Sequence, residues 1–148
     1  MKNENLGNRV YLSLRQAKER GVIKYGETFS ASVRDVCLGL FGKSVGSGGC
    51  YYEVRPDICV WCIPLNNKRN GFTNRLLENN SIVQTAESPE LDVNYPKFRL
   101  SQREKYRYVF VKHYTRPVSH RFIGIYKLVK RDKDGTILYE RVCADGVI

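Results

Sequence analysis

Residues 106–113 read YRYVFVKH and residues 121–130 read RFIGIYKLVK, and the reading of the fold starts from these two runs. In the first, Tyr106, Tyr108, Phe110 and Lys112 alternate with Arg107, Val109 and Val111, the period of a strand with two distinct faces. In the second, Phe122, Gly124, Tyr126 and Leu128 alternate with Arg121, Ile123, Ile125 and Lys127, and Gly124 lets the strand backbone approach a neighbour or a ligand closely. Working outward, the turn Arg131–Gly135 (RDKDG) carries Asp134-Gly135, a strong local hairpin signal, into a further strand at Ile137–Val142. On the N-terminal side, Tyr51–Arg55, Ile58–Ile63 and Ser81–Ala86 have the same Val, Ile and Tyr enrichment between turn residues. The intervening Asn66–Asn80 reads as a loop with a short helix around Phe72–Glu78. Ser88–Gln102, with Pro89 and Pro96, reads as a long loop, and loops beyond about 12 residues are usually functional or mobile.

The first forty residues change period. Arg9–Arg20 puts Val10, Leu14 and Ala17 on one helical stripe with Gly21 placed to end it. A second helix is predicted to start after Thr28 or Ser30. It carries Phe29, Val33, Val36, Cys37, Leu40 and Phe41 at helical spacing and stops at Gly42. Gly42–Gly49 (GKSVGSGG) reads as a loop. The expectation is a single α+β domain over residues 1–148. Its helical part, 1–42, packs on a β-rich part, 51–148, built as a small, mostly antiparallel curved sheet or barrel. A chain of 148 residues buries a core without metals or disulfides. No run approaches 18 apolar residues, which excludes a membrane span. The N-terminal MKNENLGNRV has no apolar h-region, which points to a cytoplasmic protein.

Lys and Arg number 25 against 15 Asp and Glu, a formal net charge of +10. The excess is concentrated: from Lys97 to Arg131 the only acid is Glu104, set among Lys97, Arg99, Arg103, Lys105, Arg107, Lys112, Arg116, Arg121, Lys127, Lys130 and Arg131. A one-signed field of that size draws polyanions, of which nucleic acid is the commonest in a cell. The blander reading, a solvated basic face, weighs less at this density. Five cysteines in a chain with no export signal are expected to be reduced thiols. Cys59 and Cys62 form a C-x-x-C, but residues three apart on a strand face opposite ways. With no second ligand pair, buried structural cysteine is the better reading and no metal or cofactor is expected.

Catalytic motifs are weighed and set aside. Gly42-Lys43-Ser44 has the ending of a P-loop, yet Cys37 occupies its first glycine position and a helix precedes it where a strand is required. Gly124-Ile125-Tyr126 with Tyr139 resembles the opening of GIY-YIG nucleases, but too little chain follows to supply their later arginine and glutamate. Glu104-Lys105 lacks the spacer of a PD-(D/E)xK site. His113 and His120 have no carboxylate nearby in sequence, so neither is assigned a catalytic role. The second helix is too apolar along its length to be the groove-reading half of a helix-turn-helix.

What survives is a combination of cations and flat rings. Trp61 sits on a strand leading toward Asn66–Arg75, a polar and basic segment, while Tyr108 and Tyr126 sit on the two decisive strands. Basic side chains contact phosphates, aromatic faces stack on bases, and Asn and Arg pair with base edges. The order Trp61, then Arg69–Leu76 (RNGFTNRL), then Arg107–Val111 (RYVFV), then Phe122–Leu128 (FIGIYKL) resembles the PUA-like superfamily over about residues 51–130. EVE and SRA modules, and similar domains appended to restriction enzymes and helicases, are nearest to it. The resemblance implies a small curved β-barrel with peripheral helices that binds RNA or reads modified DNA bases, often by taking a flipped base into an aromatic-lined pocket. It places Trp61 and the Arg69–Asn74 segment on the pocket side and Phe122–Leu128 on the glycine-containing strand. The EVE-type Trp-x-Gly-Val-Arg-Asn run is not intact here, which leaves the recognised base open.

The function expected is therefore a nucleic-acid-binding module, for DNA or RNA, that recognises a modified or flipped base. The candidate contacts are Trp61, Arg69, Asn74, Arg75, Arg99, Arg103, Lys105, Arg107, Tyr108, Lys112, Tyr126 and Lys127. Two other classes stand beside it: a small basic inhibitor or adaptor for an acidic protein partner in a defence or phage system, and a nucleic-acid-modifying enzyme with an unrecognised site.

Overall fold

The computed structural model describes residues 10–46, 49–65, 68–69, 72–86, 105–114, 116–132 and 134–148. Ser88–Gln102, and with it Arg99, lies outside the described residues, as does Arg103. The chain runs β1 (Val10–Tyr11), α1 (Leu14–Arg20), β2 (Val22–Ile23), β3 (Glu27–Phe29), α2 (Val33–Phe41), β4 (Tyr51–Arg55), β5 (Ile58–Ile63), β6 (Lys68–Arg69), β7 (Phe72–Leu76), β8 (Ile82–Ala86), β9 (Tyr106–His113), β10 (Ser119–Arg131), β11 (Ile137–Cys143) and β12 (Gly146–Val147).

One ten-stranded sheet has the order β4-β5-β9-β10-β11-β8-β7-β6, with β3 pairing to β10 and β1 to β3. The small strands β12 and β2 pair separately. Pairing is mostly antiparallel; β5 with β9 and β1 with β3 are the parallel exceptions. The path is an open sheet and not a closed barrel, so of the two expected forms the sheet is the one found. No helix among the described residues is long and apolar enough to cross a membrane.

Both helices begin on serine and end on glycine. The Ser13 side chain accepts from the Gln16 backbone while the Gln16 side chain accepts from the Ser13 backbone, a capping box that sets the start of α1. Helix α1 is therefore shorter than the predicted Arg9–Arg20, and Val10–Tyr11 pairs instead with Glu27–Thr28. Ser32, rather than Thr28 or Ser30, caps α2, because Thr28 and Phe29 are drawn into β3 against Arg121 and His120. Gly21 and Gly42 both take the left-handed conformation that closes the helices. The predicted helix around Phe72–Glu78 is a strand, β7, in a hairpin with β8.

The sheet buries both faces. On the helix side Phe29, Val36, Cys37, Leu40, Val60, Cys62, Tyr108, Phe110 and Phe122 form one core. On the other side Trp61, Ile63, Ile82, Val109, Val111, Ile123, Tyr126, Leu128, Ile137 and Tyr139 form a second. That is why β5 (ICVWCI) and the centre of β9 read as nearly unbroken apolar runs.

Strict alternation along β10 fails at one place. Phe122 pairs with Phe110 and Gly124 with Val109, so Ile123 is an extra residue in a bulge. Past it the faces exchange: Phe122 lies in the helix-side core, while Tyr126 and Leu128 lie with Trp61. Gly124 has φ +125, and a Cβ there would stand 2.6 Å from the Cys143 carbonyl oxygen.

Candidate nucleic-acid interface

Strands β5 and β9 run side by side with Cys59 opposite Arg107 and Trp61 opposite Val109. Arg107 thus projects from the face that carries Val109 and Val111, away from the helices. Its guanidinium carbon stands 4.6 Å from the Tyr51 ring centre, 4.9 Å from Trp61 and 4.6 Å from Tyr139. The side chain is buried, and its Nε has no hydrogen-bond partner. Each desolvated ring contact offers a cation up to about 2 kcal/mol. Removing the cation from water costs several kcal/mol, so the rings hold the charge in place without giving its Nε–H an acceptor.

The surrounding polar groups are anchored. Tyr51 donates to Cys59 Sγ at 2.7 Å; burial pushes its phenol well above the ordinary value, and the Arg107 charge pulls it part of the way back. Tyr126 donates to the Asn80 carbonyl at 2.7 Å, and burial pushes it up to about 12. Trp61 meets Tyr139 at 4.9 Å between ring centres. Asn74 extends the same face. It is two residues from Leu76, which packs on this core, and it pairs with Gln84 across the β7–β8 hairpin. Asn74 is buried, and its Oδ1 has no hydrogen-bond partner.

At the far end of β9 the face opens into a cavity of about 340 Å³. Leu65 and Val111 line it, continuous with the core around Trp61, and Lys112, His113, Tyr114 and Arg121 line it as well. The Lys112 ammonium lies 5.0 Å from the Tyr114 ring centre. Four residues along a strand separate this cavity from Arg107, about 13 Å.

The structure therefore brings Trp61, Arg107, Tyr126 and Asn74 onto one face, with Lys112 at its edge. It sends Tyr108 to the other side, where the ring packs against Phe41 and Phe122 and the hydroxyl donates to the Val147 carbonyl at 2.6 Å. Arg75 is exposed and follows Asn74, so it points to the opposite face of β7. Lys105 is paired with Glu53 of β4, and the Lys127 ammonium lies 5.2 Å from the Tyr106 ring centre. Arg69 lies in β6, opposite Phe72. Sequence reasoning missed Tyr51, Tyr139 and Gln84. The alternation of Ile137 with Tyr139 was the available hint for one of them, but nothing local ties Tyr51 to Arg107.

The fold is an open α+β sheet with two cores, and one of its faces holds a buried cation among rings. The chain belongs to the SRA family, the SET and RING associated domain, whose sequence profile matches residues 16–145. That is the SRA branch of the resemblance seen in the sequence.

Among solved structures, the 5-hydroxymethylcytosine-specific restriction enzyme AbaSI is similar with a TM-score of 0.74 at 19% identity, covering 91% of this chain and 45% of that one. This chain thus spans less than half the length of that enzyme. The DNA modification-dependent restriction endonuclease AspBHI is similar with a TM-score of 0.54 at 12% identity, covering 93% of this chain and 84% of that one. At such identities the likeness is one of fold. No curated protein matches the chain in sequence.

Proposed function

We propose that this domain binds duplex DNA through its basic rim and takes a modified cytosine, extruded from the helix, onto the face shared by Trp61, Asn74 and Arg107. One observation carries the reading: that face holds a buried acceptor, Asn74 Oδ1, and a buried donor, Arg107 Nε, neither of which has a partner. Folded proteins leave few such atoms, and each costs about 1–3 kcal/mol. A cytosine edge offers what both lack, an amino donor beside ring acceptors. Extrusion costs a few kcal/mol, which edge hydrogen bonds offset in part. Lys112 and Arg121, at the cavity mouth, are placed to take backbone phosphates. The name of AbaSI supports modified cytosine as the base, that of AspBHI supports modified DNA more broadly, and we read this chain as the part that recognises the modification.

The test is a pair of duplexes differing only at one cytosine, plain or modified, with 2-aminopurine beside it. Tighter binding of the modified duplex with a rise in fluorescence is expected, and Asn74→Ala should shrink the modified-to-plain affinity ratio about tenfold. Equal affinity with no rise in the wild type rejects the reading.

A further inference from the structure

The cavity at the end of β9 joins apolar and cationic side chains. Its apolar lining is Pro64, Leu65 and Val111, its charged lining is Lys112 and Arg121, and none of the described residues around it is acidic. His113 lines it too and is half-buried. It follows Val111 by two along β9, and Arg121 pairs with Val111 from β10, so strand geometry turns His113 and Arg121 to the same side of the sheet. Tyr114 completes the lining, with the Lys112 ammonium against its ring. The chain has two histidines, and the other is placed differently. His120 is buried, and its Nδ1 lies 2.7 Å from the Ala31 carbonyl oxygen, away from the cavity.

Resting on the DNA binding proposed above, we infer that this cavity is a proton-linked phosphodiester site: His113 takes a proton from solvent as a backbone phosphate seats beside Lys112 and Arg121, and becomes a third cationic contact to it. Two fixed cations make a poor setting for a third charge, so the empty cavity disfavours a proton on the imidazole, and an anion between them reverses that. Imidazole is the side chain whose charge such a reversal changes near neutrality. The neutral ring offers one N–H, the protonated ring two donors and a charge. A phosphodiester does not titrate in this range, so the proton taken up belongs to the protein. Bound phosphate raises the imidazole's affinity for protons. Binding is therefore tightest at low pH, and the gain is lost as pH rises through the range where the bound ring deprotonates.

The experiment measures the affinity of one unmodified duplex at pH 6, 7 and 8, at fixed ionic strength, for the wild type, His113→Gln and His113→Arg. The wild type is expected to bind about fivefold or more tightly at pH 6 than at pH 8, most of the roughly tenfold that a one-unit rise in one group's pKa supplies. His113→Gln, which takes no proton, stays within about twofold across the range and lacks the gain. His113→Arg is charged throughout, so it is equally flat and binds at pH 8 at least as tightly as the wild type at pH 6. A side chain that served only to pack would not give opposite results for Gln and Arg. Thermal unfolding at each pH verifies that both variants fold, and the wild-type profile alone already decides against the inference if it is flat. A flat profile with duplex bound overturns the proton linkage and leaves DNA binding intact. A gain that survives in His113→Gln assigns the proton to another group and overturns the role of His113. A wild type that binds the duplex at no pH overturns this inference and the DNA-binding reading together.

Discussion

Cys37 sits at the centre of the helix-side core with no exposed surface, and a thiolate there would be stripped of water. Burial accordingly pushes its thiol from 9.0 up to about 11. Below pH 9 the thiol is neutral in the folded and unfolded chain alike, so its packing contributes fully. Above pH 9 the unfolded chain ionises and the folded one resists, so stability falls by about 1.4 kcal/mol per pH unit until the folded thiol also ionises near pH 11. Denaturant unfolding at pH 8, 9, 10 and 11 should show Cys37→Ala starting less stable than the wild type, because a buried sulfur is lost. The gap should then narrow by about 2–3 kcal/mol as pH rises. Curves that stay parallel would count against an inaccessible thiol. Cys59 and Cys62 show the same economy of local reasoning. The strand period alone places them on opposite faces, and Cys62 lies in the helix-side core while Cys59 meets Tyr51 across the sheet.

At the scale of elements, β10 and its bulge decide which rings share a face. A regular strand would put Tyr126 with Phe122; the extra residue at Ile123 turns Tyr126 toward Trp61. Gly124 makes that turn possible, since its φ of +125 is closed to side chains and the space a Cβ needs is held by the Cys143 carbonyl. Gly124→Ala should cost about 3 kcal/mol and lower the thermal midpoint by about 10 °C. An unchanged midpoint would mean the bulge relaxes freely. The strands β5 and β9 were legible because two buried faces force nearly continuous runs of apolar and aromatic residues. The bulge was not, because a shift of one residue leaves no mark on composition. Strand β7 (FTNRL) was missed for another reason: Asn and Arg are poor strand formers, and pairing with β8 overrides them. Arg107 was read as a phosphate contact because its three rings come from β4, β5 and β11, which are distant in sequence. The face was visible as an alternation; its contents are a product of topology.

For the molecule as a whole, the formal charge of +10 favours a polyanion, and in the proposed DNA complex the cations do not contribute alike to the salt dependence. Lys105 is already neutralised by Glu53, and Arg107 is sealed among rings. Lys112 lines the open cavity beside Tyr114, and the exposed Arg116 follows in the β9–β10 connection. Each phosphate contact releases about 0.9 of a counterion, which appears as that increment in the slope of log affinity against log salt. Lys112→Ala with Arg116→Ala should therefore flatten the slope on plain duplex by nearly two and weaken binding of many sequences alike. Lys105→Ala should leave the slope within a few tenths of the wild type, because it removes a charge that was not facing phosphate. Fluorescence anisotropy across four salt concentrations separates the two variants. If Lys105→Ala flattens the slope as much as the double substitution does, DNA lies across the β4 edge of the sheet and not at the cavity mouth.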